Sequence, residues 1–185
     1  MNTKTRKMRT EVLLTGMLLC VLVLTWGSMA AANTVTAWGY NENGECNVPG
    51  DLTNVVTLVG GSNHSLALKT DGTVAAWGYN GYGQCNVPEG LSNVVAVAAG
   101  YYHNLALRTD GSIVAWGYND YGQCNVPADL SNVVAIAAGP FHNVALKADG
   151  TVAVWGHNGY GECNMPAGLT NLVKITCGGH YSLGL

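Results

Sequence analysis

The sequence predicts an all-β fold of β-propeller blades, each a four-stranded antiparallel sheet. A repeat of 39 residues carries this prediction, because tryptophans recur at that interval as Trp38, Trp77, Trp116 and Trp155. Each period contains short runs rich in Val, Ala and Leu, bounded by Gly, Pro, Asn or Asp, and the runs lack helical periodicity. A fixed period of this length indicates stacked supersecondary units.

The chain begins with the three-part pattern of a secretory signal peptide. Four cations within residues 4–9 precede an apolar run at 12–26, and Ala30 and Ala32 form an A-x-A site. The apolar run is shorter than the roughly 20 residues that cross a bilayer. The sequence therefore predicts cleavage after Ala32, a secreted or periplasmic product of residues 33–185, and no membrane association once the signal is removed.

The mature chain is acidic. Ten carboxylates outnumber four cations, which gives a net charge of minus six; the cations are Lys69, Arg108, Lys147 and Lys174. Isolated cations in an acidic chain form no basic footprint for phosphate backbones. Nucleic acid is therefore not expected as a partner.

Within the mature chain, three full blades lie between two half-blades. The predicted blades are 54–92, 93–131 and 132–170, and the half-blades are 34–53 and 171–185. The first half-blade contains the third and fourth strands of a unit, whereas the last contains the first and second. Because the missing halves are complementary, we expect the two ends to pair as one shared blade, which would cover the exposed sheet edges.

Asp-Gly pairs join the second and third strands of each blade. They occur at Asp71, Asp110 and Asp149, each followed by glycine. Asp-Gly between apolar runs indicates a two-residue hairpin turn in which both residues have positive φ. The turn explains these aspartates without calcium binding or catalysis.

The repeat pattern AAG-x-x-H-x-LAL-x-x-DG-x-x-x-AWG-x-N-x-x-GQ resembles the regulator of chromosome condensation family of propellers. The short period and the segment GQ-x-x-VP-x-x-L-S are most similar to the secreted branch that includes the propeller-type β-lactamase inhibitory protein. The resemblance covers essentially the whole mature chain and implies a propeller of seven blades in the family. This chain has four blade equivalents, which leaves three interpretations: a four-bladed ring, a ring completed by a homodimer, or a truncated copy of a longer protein.

Strand direction places the loops after the first and third strands on one face. There the internal copies differ most, and this face holds Tyr101, Tyr102, Phe141 and His180. Beside them lie Tyr82, Tyr121 and Tyr160, from the loops after the third strands. Aromatic side chains with few charges are typical of a protein-binding surface. The alternative for Tyr82, Tyr121 and Tyr160 is that their rings pack between neighbouring blades. In the inhibitory protein that the sequence resembles, the corresponding loops bind the target.

His64, His103 and His142 recur once per blade. Equivalent residues on sheets about 10 Å apart are too distant to share a zinc ion, and the fourth copy has Tyr181 at this position. We therefore expect a buried, hydrogen-bonded histidine rather than a metal ligand. The four tryptophans are expected to fill the space between blades. No metal and no cofactor is predicted.

The mature chain contains five cysteines, four of them at the repeat interval. Equivalent positions on neighbouring blades are too far apart for a disulfide, which needs Cα atoms within about 7 Å. Cys46, Cys85, Cys124 and Cys163 are expected to be small buried side chains. One disulfide involving Cys177 is the alternative.

Together these features predict a secreted, non-enzymatic module that binds a protein, which the resemblance narrows to inhibition of a β-lactamase or penicillin-binding protein. One alternative is a fragment of a larger surface or structural repeat protein without a partner of its own. Another is a hydrolase or lyase that uses the same face, for which His157 and Asp120 are the nearest candidates present in a single copy. We assign no catalytic residue, because near-identical repeats supply little of the asymmetry that catalysis needs.

Overall fold

The structure, a computed structural model, describes residues 34–185, so the predicted signal peptide lies outside the described residues. The described part of the chain is all-β, as predicted, and contains no helix long and apolar enough to cross a membrane. Three antiparallel sheets of three strands each follow one another along the chain. The first contains β1 (Val55–Gly60), β2 (His64–Lys69) and β3 (Val74–Gly78); the second contains β4 (Val94–Ala99), β5 (His103–Arg108) and β6 (Ile113–Gly117); the third contains β7 (Val133–Ala138), β8 (His142–Lys147) and β9 (Val152–Gly156). A last sheet pairs β10 (Ile175–Cys177) with β11 (Ser182–Gly184).

Each three-stranded sheet has the same irregularity near its start. The register of β1 against β2 shifts between Val55 and Thr57, and equivalent shifts occur in the other two sheets. The extra residue at each shift points outward, so Val56, Val95 and Val134 are more than half exposed at 56, 51 and 56 %. A bulge conserved in position among copies shows that the three units share one backbone design.

The fourth strand of each blade, predicted at 84–87 in the first unit, is not formed. The chain turns there, because the Cys85 N–H is donated to Asn80 Oδ1 at 2.8 Å instead of to a neighbouring strand. The carbonyl oxygen of Gln84 accepts two side-chain hydrogen bonds from the following sheet. Each sheet therefore has three strands, and the segment predicted as a fourth strand connects one sheet to the next.

The Asp-Gly turns also differ from the prediction. Glycine alone takes positive φ in them, with values of 74°, 79° and 78° at Gly72, Gly111 and Gly150. In the first turn, Asp71 Oδ1 accepts the Thr73 N–H at 2.9 Å and its hydroxyl at 2.6 Å. The Gly72 N–H is donated to the Lys69 carbonyl at 3.0 Å. This is a three-residue hairpin loop closed by a left-handed glycine, which the aspartate side chain stabilises.

The hydrophobic core lies between neighbouring sheets. Leu66 of β2 is fully buried and packs with Val94 of β4 and Trp116 of β6. The next residue along β2, Ala67, faces the opposite way and packs with Trp77. Strand alternation thus places a large side chain against the following sheet and a small one beside the sheet's own tryptophan. Each fully buried leucine contributes roughly 1.5–3 kcal/mol of stability.

Three of the four tryptophans lie between units as expected, but Trp38 does not. Trp77, Trp116 and Trp155 are 9, 7 and 7 % exposed, whereas Trp38 is 83 % exposed. The indole N–H of each buried tryptophan is donated to a carbonyl of the preceding loop, at 2.9–3.0 Å. Within residues 34–185 no earlier loop covers Trp38, so the same local sequence leaves that ring exposed.

The shared blade expected from the two ends is not formed in residues 34–185. The last sheet contains β10 and β11 alone, and the segment 34–48 contains no strand. That segment packs instead on the first sheet, where Val35 and Val48 contact the cluster around Trp77.

Candidate binding surface

A glycine-rich loop follows the third strand of each full sheet and holds its aromatic residues in place. At Gly78 φ is 106°, and an added Cβ would lie 2.7 Å from the Asn63 carbonyl oxygen, so glycine is required where the chain leaves β3. The Asn80 side chain then closes the loop, accepting the Cys85 N–H and donating to Asn86 Oδ1 at 2.8 Å. The same asparagine pair closes the other copies of the loop.

A buried glutamine ties each loop to the next sheet. The Gln84 side chain accepts the Tyr82 N–H at 2.9 Å, which fixes the tyrosine backbone. The Gln84 carbonyl accepts Asn104 Nδ2 at 2.8 Å and Trp116 Nε1 at 3.0 Å. The next copy repeats these bonds with Gln123, Asn143 and Trp155. The loops are therefore anchored from below by polar groups without contact to solvent.

The repeated histidines belong to this framework. His64 Nε2 lies 2.7 Å from Asn104 Oδ1, and His103 Nε2 lies 2.8 Å from Asn143 Oδ1. Because the amide nitrogen of Asn104 donates to Gln84, its oxygen is the acceptor, so His64 is the donor through Nε2. Burial lowers the pKa of His64, and lowers that of His103 to about 4, which keeps both rings neutral. Within residues 34–185 no group of three His, Cys, Asp or Glu residues is arranged to hold a metal ion.

Ten rings form a continuous band above this framework, which we call the aromatic surface. Neighbouring ring centroids lie 4.5–6.4 Å apart, within the range of aromatic pairs. Its members are Tyr79, Tyr82, Tyr101, Tyr102, Tyr118, Tyr121, Phe141, His157, Tyr160 and His180. All seven residues predicted for the binding face lie in this band, which extends from the first sheet to the last.

Four tyrosines of the aromatic surface are strongly exposed. Tyr82, Tyr101 and Tyr121 are 46–47 % exposed, and Tyr160 is 73 % exposed. The same rings also bridge neighbouring units, since the Tyr82 centroid lies 4.8 Å from that of Tyr118 and 5.2 Å from that of Tyr102. The two interpretations of Tyr82, Tyr121 and Tyr160 thus describe two sides of the same rings. One side packs between units, and the other faces solvent.

The sequence analysis did not include Tyr79, Tyr118 and His157 in the site. They occupy one repeat position, directly after the third strand, and each lies against a ring that was predicted. Their spacing of 39 residues is the same as that of the tryptophans. Comparing the internal copies position by position would have found them.

Comparison with known proteins identifies the repeat. The regulator of chromosome condensation (RCC1) repeat matches residues 55–84, 94–123 and 133–162, which contain β1–β3, β4–β6 and β7–β9. The described chain is built from RCC1 repeats. Its sheets are therefore propeller blades, as the sequence predicted. No curated protein sequence matches the chain.

Solved structures agree with this assignment. The ectodomain of the Physcomitrella patens receptor kinase CR4 is similar with a TM-score of 0.71 and 26 % identity, over 85 % of this chain and 45 % of that one. Prp20p from Saccharomyces cerevisiae is similar with a TM-score of 0.62 and 25 % identity, over 71 % of this chain and 43 % of that one. Yeast RCC1 (Prp20) bound to Kap60 shares the fold, with a TM-score of 0.66 and 22 % identity, over 80 % of this chain and 48 % of that one. The chain spans less than half the length of each.

The cations of the RCC1 repeats lie away from the aromatic surface. Lys69, Arg108 and Lys147 end the middle strands of the three blades, beside the Asp-Gly turns, and Lys174 precedes β10. The loops that carry the aromatic surface contain carboxylates but neither Lys nor Arg. The aromatic end of the described chain is therefore uniformly anionic at neutral pH.

Asp120 is the exposed carboxylate within the aromatic surface. Partial burial of the Tyr118 ring and a hydrogen bond from its hydroxyl to Asp120 raise the pKa of Tyr118 to about 12. The equivalent residues in the neighbouring repeats are Gly81 and Gly159. At Gly81 an added Cβ would lie 2.2 Å from the Tyr79 hydroxyl oxygen, so the ring there covers the glycine.

Glu162 replaces the buried glutamine in the last of these loops. Its Oε1 accepts His157 Nδ1 at 2.8 Å and lies 3.6 Å from His180 Nδ1, and its Oε2 accepts the Tyr160 N–H at 2.9 Å. Burial by itself raises the pKa of Glu162, but these donors outweigh it and lower the pKa to about 2. The ionised carboxylate thus holds two rings of the aromatic surface in place.

The cysteines of the RCC1 repeats are free thiols in the described structure, including Cys177, for which a disulfide was considered. Cys46, Cys85, Cys124 and Cys163 are half-buried. Each thiol points at a backbone carbonyl of its own loop, at 3.2–3.4 Å. They close the loop beneath the aromatic surface and do not link blades.

Proposed function

We propose that this chain is a secreted, non-enzymatic protein-binding module whose contact region is the aromatic surface. One observation carries the proposal: ten rings in mutual contact, four of them about half exposed or more, form one band. Tyrosine supplies a large contact area with few rotatable bonds, and aromatic anchors account for much of the energy of protein interfaces. The buried Asn and Gln framework holds these rings before any partner arrives, which lowers the entropy lost on binding.

The comparisons support a protein as the class of partner. The structure of Prp20p was reported with its binding properties to Gsp1p and histones, and yeast RCC1 was solved bound to Kap60. These partners belong to proteins more than twice as long as the matched segment. They support the kind of interaction rather than its identity.

An inhibitor of an extracellular enzyme is the finer form of this proposal. It rests on the resemblance to the secreted inhibitory branch and on the signal pattern before residue 33. Hydrolysis of a chromogenic cephalosporin by a class A β-lactamase, with and without the purified chain, tests it. Concentration-dependent inhibition that is lost in Tyr101→Ala supports the inhibitor role. Undiminished hydrolysis at micromolar chain rejects this target.

The general proposal is tested with a displayed library of small folded domains selected on the full chain. Selected binders are measured against wild type and against a double variant that combines Tyr101→Ala with Phe141→Ala. The matched control combines Glu89→Gln with Asp129→Asn, two exposed changes at the opposite end of the blades. We expect the aromatic variant to weaken binding at least tenfold, since one anchor is worth about 1–2 kcal/mol or more.

Circular dichroism confirms that each variant is folded before its affinity is interpreted. Binders that ignore the aromatic variant, or that respond equally to the control, would reject the aromatic surface as the binding site. That result would favour the alternative of a structural repeat without its own partner.

A further inference from the structure

The aromatic surface joins rings to a negative charge that this chain leaves without a cation. Asp120 lies among the exposed loops, and the four cations of residues 34–185 lie toward the other ends of the strands. A partner that covers the rings also covers Asp120. An unpaired carboxylate that is removed from water costs several kcal/mol, so a partner has to supply a charged donor there.

The rings around Asp120 are arranged to receive a cation. The centroids of Tyr82 and Tyr118 lie 4.8 Å apart with the planes inclined at 60°. Tyr102 completes the group at 5.2 Å from Tyr82, inclined at 51°. Because the rings are inclined, they do not cover one another's faces by stacking. A cation within about 6 Å of a tyrosine face is attracted by roughly 0.5–1 kcal/mol at an exposed site, and more when water is removed.

Asp120 is not needed to build the loop that carries it. The equivalent loops have Gly81 and Gly159 at this position, and they form the same asparagine closure, at 2.8 and 3.0 Å against 2.9 Å in the Asp120 loop. The charge is therefore an addition to one copy of a loop that folds without it. A neutral residue at this position would leave the aromatic band without its central charge.

We propose that Tyr82, Tyr118 and Asp120 form a subsite for a cationic side chain of the partner, the guanidinium of an arginine or the ammonium of a lysine. This rests on the proposed function, because it specifies the chemistry of the segment that docks on the aromatic surface. The carboxylate pairs with the charge, and the tyrosine rings contact the alkyl stem and the cation.

The test uses random peptides displayed on phage and selected on the full chain, sorted by whether binding requires Tyr118. We expect the Tyr118-dependent peptides to be enriched in Arg or Lys. In each such peptide the critical arginine is replaced by citrulline, a neutral residue of nearly the same shape. Affinity is measured for wild type, Asp120→Asn and the control Glu42→Gln, which removes a charge from the loop before the first sheet.

We expect citrulline to weaken binding to wild type about tenfold, and to have an effect of less than about twofold on Asp120→Asn. The Glu42→Gln variant should keep the tenfold difference. Equal affinities of the arginine and citrulline peptides for wild type, or the same loss in Asp120→Asn as in wild type, would overturn the subsite. So would Tyr118-dependent peptides without cations.

The two proposals fail in different ways. Peptides that need the rings but not the cation would reject the subsite and leave the aromatic surface as the binding region. Peptides that need neither Tyr101 nor Tyr118 would reject the proposed function together with the subsite.

Discussion

Asn104 is the residue whose loss should test the buried framework most sharply. It is fully buried, accepts His64 Nε2 at 2.7 Å and donates to the Gln84 carbonyl at 2.8 Å. Asn104→Ala removes both hydrogen bonds, at about 1 kcal/mol each, and leaves the His64 N–H unpaired in the core, which adds roughly 1–2 kcal/mol. We expect the free energy of unfolding to fall by about 2–4 kcal/mol.

Asn104→Ser is the matched variant that the chain itself offers. Serine occupies the equivalent position in the first blade, where Ser65 Oγ donates to the Glu45 carbonyl at 3.1 Å. Asn104→Ser should keep one of the two bonds and be about 1 kcal/mol more stable than Asn104→Ala. Urea unfolding followed by tryptophan fluorescence measures both. An Asn104→Ala variant within 0.5 kcal/mol of wild type, a limit typical of surface substitutions, would refute the framework.

Three further predictions concern the same framework. His103 has a pKa of about 4 in the folded chain and an ordinary value near 6.5 when unfolded, so the unfolded chain alone takes up the proton between these values. Stability should therefore be complete above pH 7 and fall by about 3 kcal/mol as the pH drops to 4; urea unfolding of wild type and His103→Gln should diverge in pH dependence, and parallel curves would contradict this. Gly100→Ala would place a Cβ 2.5 Å from the Gly139 carbonyl oxygen and should destabilise by about 1–3 kcal/mol in thermal unfolding, whereas Gly179→Ala meets no atom within 4 Å and should be neutral; equal effects would argue against the close approach of the blades. Trp116→Phe loses the bond from Nε1 to the preceding loop at 3.0 Å and should cost about 1–2 kcal/mol in chemical unfolding, and an unchanged midpoint would rule out that link.

The strands were predictable because their signals are local. The run 64–69 was predicted as a strand and is β2, since alternating side chains face two different sheets and the Asp-Gly turn ends the run. The fourth strand failed for a physical reason. A short apolar segment such as 84–87 does not reveal whether its backbone pairs with a strand or accepts side chains of the next blade.

Trp38 shows the same limit. Its neighbours in sequence match those of Trp77, yet its exposure is 83 % against 9 %. Burial of this ring depends on the loop that precedes it in space, which the local sequence does not encode. The aromatic residues were found where the copies differ, whereas Tyr79 and Tyr118 were missed because a constant position was taken to be structural.

Tyrosine modification in a complex tests the central claim most directly. The full chain is treated with a tyrosine-nitrating reagent, alone and with a selected binding domain, and the modified residues are quantified by mass spectrometry. Tyr40 is 62 % exposed and lies outside the aromatic surface, so it serves as the internal control beside Tyr82, Tyr101 and Tyr121 at 46–47 %. The account predicts that the binder protects these three residues and leaves Tyr40 reactive. Protection of Tyr40 with undiminished modification of the other three would contradict it.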